Sequence, residues 1–511
     1  MTPKKTLPFK KERIIEDYRI AYKSRRASEV GRREVLSGRA KFGIFGDGKE
    51  VAQLAIAHAF KQGDWRSGYY RDQTWLFALG TVSLKAYFAQ LYAHADVNAD
   101  PATAGRAMNA HFATRYINPD GTWKDQTKEY NVSADVSPTG SQMPRLVGLA
   151  YASSLYRQSP ELQEGFEKFS NNGNEVAWGT IGNASTAEGM FWEAVNAIGV
   201  LQAPAVITIY DDGYGISVPN EFQMVKENIG QILSGFQRDN DSAENTSRGY
   251  DIYSVRAWDY PALLDTYWAA SNTARKYHIP ALVHVTEVTQ PQGHSTSGSH
   301  ERYKSKERLE WEKEYDCNLK MREWMLEREI ITEEELVLVE KNASKEVEAD
   351  RKEAWQAFQK PILDERQHVA NLLGELAEET TMKAEIKALR DKLTAFPQGL
   401  FREQHEAVHA ALRATRNENT AARKVLVDWQ KAQDAVHQEQ FSDQLWSESD
   451  AALLKVKEVK PLFSADSPTI QAFDLLNHGF DAIFERDKRV VAFGEDVGHL
   501  GAVNQGFRGL Q

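Results

Sequence analysis

Two stretches of the chain carry apolar residues with no polar face between them. Val206-Ile207-Thr208-Ile209-Tyr210 is one, and Leu282-Val283-His284-Val285-Thr286 is the other. Short β-branched runs without alternation predict strands buried on both faces. Glu175-Val176-Ala177-Trp178 predicts a further strand, and residues 188–200 predict a helix. Strand, helix, strand at this spacing is a βαβ unit. It implies an α/β fold, a parallel sheet flanked by helices.

The pattern changes after residue 304. Between residues 303 and 460 the breakers are Gly374, Gly399, Pro361 and Pro397, in a background of Glu, Lys, Arg, Gln, Ala and Leu. So few breakers over that length predict helices. Leu372, Leu376, Met382, Ile386, Leu389 and Leu393 recur mostly at steps of three and four, the spacing of one helix face. The charge runs read as solvated helix faces. Residues 469–485 then predict a helix and Arg489-Val490-Val491-Ala492-Phe493 a strand. Three domains are expected: residues 1–304, a helical connector at 305–466, and the truncated start of a second α/β domain at 467–511.

Composition narrows the function classes. A formal charge of −11 over 511 residues disfavours nucleic acid as the main partner, since phosphate binding needs clustered cations. Lys4, Lys5, Lys10 and Lys11 are soon followed by Glu12, Glu16 and Asp17, which fits neither a transit nor a signal peptide. No run reaches the length of a membrane span. The single cysteine, Cys317, cannot close an internal disulfide, so a reducing cytoplasm is expected.

Candidate chemistry gathers after the predicted strands. Gly182-Asn183-Ala184-Ser185-Thr186-Ala187-Glu188-Gly189 follows one strand and opens a helix. Small residues admit a ligand close to the backbone, and a helix N-terminus suits a phosphate. Asp211-Asp212-Gly213-Tyr214-Gly215 follows the next strand. Asn183 and Asp212 stand 29 positions apart, one crossover unit. Both are thereby expected at the carboxyl edge of adjacent parallel strands, where α/β sheets bind ligands. An amide oxygen and a carboxylate there are hard ligands of the kind magnesium takes beside phosphates. Gly-Asn and Asp-Asp-Gly are also ordinary turn chemistry, so spacing alone leaves both readings open.

These two motifs resemble the Gly-Asp-Gly and Asn-Asn-x-Tyr pair of the thiamine-diphosphate-dependent decarboxylating component of 2-oxo acid dehydrogenases, branched-chain and pyruvate types. Glu188-Gly189 matches a Glu-Gly pair of that family, and Asp211-Asp212-Gly213-Tyr214-Gly215-Ile216-Ser217 its second motif. The resemblance implies magnesium held by Asn183, Asp212 and the Tyr214 carbonyl. It also implies cofactor contacts from Gly182, Ala184, Ser185 and Ile216. Acid and amide have exchanged places relative to the family, with the summed charge unchanged. Gly68-Tyr69-Tyr70-Arg71-Asp72 resembles a Tyr-Arg pair that holds the cofactor diphosphate, here Tyr70 and Arg71. Residues Ser137-Pro138-Thr139-Gly140-Ser141-Gln142-Met143-Pro144 resemble a loop that lines the cofactor, through Pro138 and Thr139, and holds potassium, through Ser141 and Gln142. Gly293-His294-Ser295-Thr296-Ser297, followed by Tyr303, resembles a loop whose histidine faces the thiazolium, which makes His294 the expected catalytic residue. Gln290 stands where relatives have Arg, and Gly298 where they have Asp. One diphosphate cation is therefore expected to be lost. Phe493-Gly494-Glu495-Asp496-Val497-Gly498 and Arg508-Gly509-Leu510 resemble the start of the family's β-type polypeptide, as if α- and β-type parts were fused.

The implied activity is oxidative decarboxylation of a 2-oxo acid, with acyl transfer to the lipoyl group of an acyltransferase partner. A homodimer or heterotetramer-like assembly comes with it. The family's pyrimidine-contacting glutamate is expected beyond Gln511, so these residues alone are expected to hold only the diphosphate half of the pocket. Two other readings remain: another thiamine enzyme, transketolase-like or acetoin-cleaving, and a scaffold of the same fold that has lost its chemistry.

Overall fold

A computed structural model of the chain describes residues 7–239, 248–395, 397–443, 445–450 and 452–511. Lys4 and Lys5 lie outside the described residues. In chain order the strands are β1 (Trp65–Ser67), β2 (Asn131–Val132), β3 (Ala177–Gly182), β4 (Ala205–Tyr210), β5 (Tyr214–Gly215), β6 (Val218–Pro219), β7 (Asp251–Arg256) and β8 (Ala281–Thr286). Six of them form one sheet in the order β2-β1-β3-β4-β8-β7, with every pairing parallel. β5 and β6 form a separate antiparallel pair. The expected α/β class is therefore the observed one.

β4 shows why the run has no polar face. Ala205, Ile207 and Ile209 pack with Phe191, Val195 and Ile198 of the helix Gly189–Leu201 on one side of the sheet. Val206 and Tyr210 pack with Leu263, Leu264 and Tyr267 of the helix Tyr260–Tyr277 on the other. Successive side chains of a strand point to opposite faces, and both faces are covered. Truncating Ile207 to Ala would cost roughly 2–5 kcal/mol by the usual cost of emptying such a site. β3 and β4 run in register from Ala177↔Ala205 to Gly182↔Tyr210, so Asn183 and Asp211 leave the sheet side by side.

The chain after residue 304 is helical as far as Ser442. Its longest element, Glu333–Glu379, starts at a capping box between Thr332 and Glu335 and runs through Pro361. The first half of this helix lies on the helix Lys11–Leu36. Tyr18 donates to Glu340 at 2.7 Å, and Val347 and Ala354 join the core around Tyr87 and Phe88. Its second half packs on the helices Lys383–Thr394, Phe401–Ala414 and Ala421–Ser442.

Two expectations are corrected. The six apolar residues from Leu372 to Leu393 do not line one helix: Leu372 and Leu376 lie on one, Ile386, Leu389 and Leu393 on the next, and Met382 in the break between. The break falls at Thr380–Met382, where Thr380 donates to Glu418 at 2.5 Å and accepts from the Met382 N–H at 3.1 Å. A side chain that satisfies the backbone locally offers it an alternative to the helix. The two segments fold back so that Leu373 and Leu376 meet Ile386 and Leu393. Residues 489–493 form no strand, although the helix before them is present as Ala472–Arg486. A strand needs a neighbour for its N–H and C=O groups, and among the described residues none lies alongside. Arg489 instead holds Asp487 at 2.7 Å.

Candidate functional site

A cavity of about 340 Å³ opens at the carboxyl edge of the sheet. Its lining includes Tyr70, Arg71, Thr139, Gly182, Asn183, Ala184, Ser185, Asp212, Tyr214, Ile216 and His294, residues from five separate motifs of the sequence. Pro138, Ser141 and Gln142 lie outside its lining. The Ser141 hydroxyl donates to the Pro138 carbonyl at 2.7 Å, and Gln142 Nε2 donates to the Thr180 carbonyl at 2.9 Å.

One wall is built by the loops after β3 and β4. The helix does not begin directly at Asn183. A 3-10 turn, Ala184–Ala187, comes first, and the helix starts at Gly189. Asn183 is buried, and its Nδ2 donates to Asn220 Oδ1 at 2.6 Å. Asn220 Nδ2 in turn donates to Asp211 Oδ1 and to the Glu227 carbonyl, both at 3.2 Å. Asp211 Oδ2 meets His284 Nε2 at 2.9 Å. Since both Asn220 partners are acceptors, the Asn220 oxygen must face Asn183. The Asn183 oxygen is therefore the atom left for the cavity. Asp212 is fixed differently: its Oδ1 accepts from the Tyr214 N–H at 3.2 Å, and Arg308 holds its carbonyl at 2.8 Å. Opposite Tyr214 in the β5–β6 pair stands Pro219, which has no N–H to give to the Tyr214 carbonyl. Ile216 is a β-branched residue at φ 60°, exposed at the cavity wall. That conformation is strained, and strain of this kind gathers at ligand sites.

The opposite wall is cationic. Asp72 is buried and anchors the loop after β1, accepting from Arg66 at 2.7 Å and from the Thr180 hydroxyl at 2.5 Å. This presents Tyr70 and Arg71 to the cavity. Arg71 donates to the Phe45 carbonyl at 2.5 Å, to the His294 carbonyl at 2.8 Å and to His294 Nδ1 at 3.1 Å. A guanidinium has no acceptor, so Nδ1 accepts and the imidazole proton sits on Nε2. Burial, then the charges of Arg71 and Lys49, push the His294 pKa down to about 4. The ring is thus neutral at pH 7. Lys49 lines the cavity too and, like Gln223 and Lys304, was indicated by no motif. Burial and then Arg71 lower its pKa to about 8, against the pull of Asp212, Asp47 and Glu50. The sequence signal for it was Gly46-Asp47-Gly48-Lys49-Glu50, a glycine-flanked turn into the helix Glu50–Ala59.

This donor set fits a metal-bound diphosphate. One amide oxygen, one carboxylate and one carbonyl are hard ligands, and magnesium usually takes few protein ligands beside phosphate oxygens. Buried cations gathered without carboxylate partners are costly unless an anion joins them.

Comparison with known proteins bears on the same residues. The family profile described as dehydrogenase E1 component matches residues 18–362. The chain is 26% identical over 299 residues to the 2-oxoisovalerate dehydrogenase subunit alpha of Bacillus subtilis (strain 168), spanning 58% of this chain and 77% of that protein. It is 26% identical over 279 residues to the mitochondrial 2-oxoisovalerate dehydrogenase subunit alpha 2 of Arabidopsis thaliana, spanning 54% of this chain and 48% of that one. Over 225 residues it is 26% identical to the pyruvate dehydrogenase E1 component subunit alpha of Acholeplasma laidlawii, 43% of this chain and 52% of that one. The chain thus spans about half the length of the latter two relatives. No described helix is long and apolar enough to cross a membrane. From the β3 and β4 loops to the matched profile, the observations agree: the chain belongs to the dehydrogenase E1 component family of thiamine-diphosphate-dependent 2-oxo acid dehydrogenase enzymes.

Proposed function

We propose that the chain binds thiamine diphosphate through magnesium and serves the oxidative decarboxylation of a branched-chain 2-oxo acid or pyruvate, with acyl transfer to a lipoyl group on an acyltransferase partner. Asn183 Oδ1, the Asp212 carboxylate and the Tyr214 carbonyl hold the metal. Tyr70, Arg71 and the backbone of Gly182, Ala184 and Ser185 hold the diphosphate. The observation that carries this is the hydrogen-bond chain through Asn220, which turns the Asn183 oxygen rather than its nitrogen into the cavity. Thiamine diphosphate supplies the carbon nucleophile and electron sink that a 2-oxo acid needs to lose carbon dioxide. His294, neutral with its proton on Nε2, donates a hydrogen bond into the cavity. Ile216 offers an apolar surface whose burial offsets its backbone strain. Potassium belongs to the same proposal, because Ser141 and Gln142 donate elsewhere and keep their oxygen lone pairs.

We assign residues 1–304 to the cofactor-binding unit, 305–466 to a helical connector and 467–511 to a third unit. The last is supported by the helix Ala472–Arg486, which has no buried residue.

Fluorescence titration of the full chain with thiamine diphosphate tests the reading, with adenosine diphosphate as competitor. Saturable binding that adenosine diphosphate displaces only weakly is expected. Equal affinity for both would reduce the cavity to a generic diphosphate pocket. Substrate class is read on the enzyme isolated with its native partner chains, comparing carbon dioxide release from 2-oxoisovalerate and pyruvate. Turnover of acetoin or a sugar phosphate in their place would favour another thiamine enzyme.

A further inference from the structure

Gln290 stands where the family resemblance calls for a guanidinium, so the cavity should be one cation short. The geometry around it points elsewhere. Gln290 Oε1 accepts from Lys49 Nζ at 2.8 Å, and Gln290 Nε2 donates to the Gly293 carbonyl at 3.0 Å. The second bond fixes the amide orientation, so its oxygen is the atom facing the ammonium. Both side chains are buried, and both line the cavity.

The two loops that carry them are laced together. Gly48 sits at φ +85°, and a Cβ there would lie 1.9 Å from the Thr289 carbonyl oxygen. The position therefore takes glycine on two counts, backbone conformation and close approach. Asp47 Oδ2 accepts from the Gln292 N–H at 3.0 Å. The turn at 46–49 thus delivers a lysine to the side chain of residue 290 at the cavity wall. Among the described residues the hydrogen-bond partner of Lys49 is a neutral amide, not a carboxylate. An ammonium has three donors, and one is accounted for. A buried cation with a neutral partner and a cavity in front of it is arranged for an anion.

We propose that Lys49, held by Gln290, is the cation that grips the diphosphate in place of the guanidinium expected at position 290. This rests on the thiamine-diphosphate reading above. The charge sits beside position 290, on the turn before the helix Glu50–Ala59, and Gln290 is the lysine's positioning partner. The departure at 290 then carries no loss of anion binding and no sign of a lapsed site.

The test is calorimetric titration of the full chain, with magnesium, using thiamine diphosphate and inorganic pyrophosphate as separate probes. Lys49→Gln should weaken both by at least ~10-fold, the usual scale for a lost charge-assisted hydrogen bond. Adding Gln290→Arg to Lys49→Gln should recover most of that loss, which a merely structural lysine would not allow. Thermal unfolding of the ligand-free variants should be unchanged or higher, since the lysine is buried with no opposite charge bonded to it. If Lys49→Gln melts lower, Lys49→Arg and Lys49→Met decide: the first should keep pyrophosphate binding and the second lose it. Wild-type affinity for pyrophosphate in Lys49→Gln, or no recovery with Gln290→Arg, would overturn the proposal. Wild-type binding of pyrophosphate without thiamine diphosphate would overturn only the cofactor reading, and the Lys49 comparison would still be decided on pyrophosphate. Wild type binding neither would overturn both.

Discussion

The two walls of the cavity are built in different ways. The wall of Asn183, Asp212 and Tyr214, which we propose holds the metal, comes from a single βαβ unit, and its order is set by strands that run in register. The cationic wall, Lys49, Arg71 and His294, comes from three loops spread over some 245 positions of the chain. The first is held by a side-chain network behind it, the second by loops bonded to one another. A wall local in sequence can be read from spacing, because strand ends place its residues. A wall assembled from distant turns cannot, because nothing in the sequence says which turns meet. Spacing puts Asn183 and Asp212 at one sheet edge, whereas Arg71 and His294 come from the family resemblance alone and Lys49 from neither.

Breaking the metal wall should have the largest effect. Asp212→Ala is expected to lower magnesium-dependent thiamine-diphosphate affinity by about 100-fold or more, above the usual range for groups that only support a ligand. Binding measured in chelator should hardly change. Asp212→Asn should also weaken magnesium-dependent binding, and adding Asn183→Asp should restore it, because the pair's charge is then regained. Additive loss in the double variant would show that these two are not the ligands.

The cationic wall should respond without metal dependence. Arg71→Lys is expected to cost about 10-fold with or without magnesium, since a point charge replaces a fork that holds Phe45 and His294 together. Pyrophosphate titrations with and without metal check it.

pH sharpens the contrast further. The Lys49 pKa in the free cavity is about 8, below its ordinary 10.5. A bound anion favours the ammonium, so binding between these values takes up a proton. Affinity should fall as pH rises above about 8, by up to tenfold per unit. Titrations in buffers of different ionisation enthalpy would reveal the uptake. Stability of the ligand-free fold should rise with pH through that window, because the unfolded chain holds the extra proton there and the cost of burying the ammonium is relieved. Proton release would contradict the placement of Lys49. The narrowest effect is expected from Asn220→Ala, a loss of about 10-fold confined to magnesium-dependent binding, by the scale for groups that orient a ligand.

Elsewhere the same rule separates what was legible. β4 and β8 were readable because two covered faces impose an unbroken apolar run, whereas β3, expected at 175–178, runs from Ala177 to Gly182 through Gly179 and Thr180. The helices after residue 304 were readable from scarce breakers, but the turn at Thr380 depends on Glu418, 38 positions away. Residues 489–493 have the composition of a strand, and Phe493 is 87% exposed. Composition describes what a strand needs from itself, and pairing depends on a neighbour that composition does not name.

The central claim is a magnesium–diphosphate site between two walls of opposite character. Calorimetric titration of the full chain with thiamine diphosphate, once in magnesium and once in chelator, tests it most directly. The expected result is tight binding with magnesium and binding at least tenfold weaker without it. Equal affinity in the two conditions, or none in either, would contradict it.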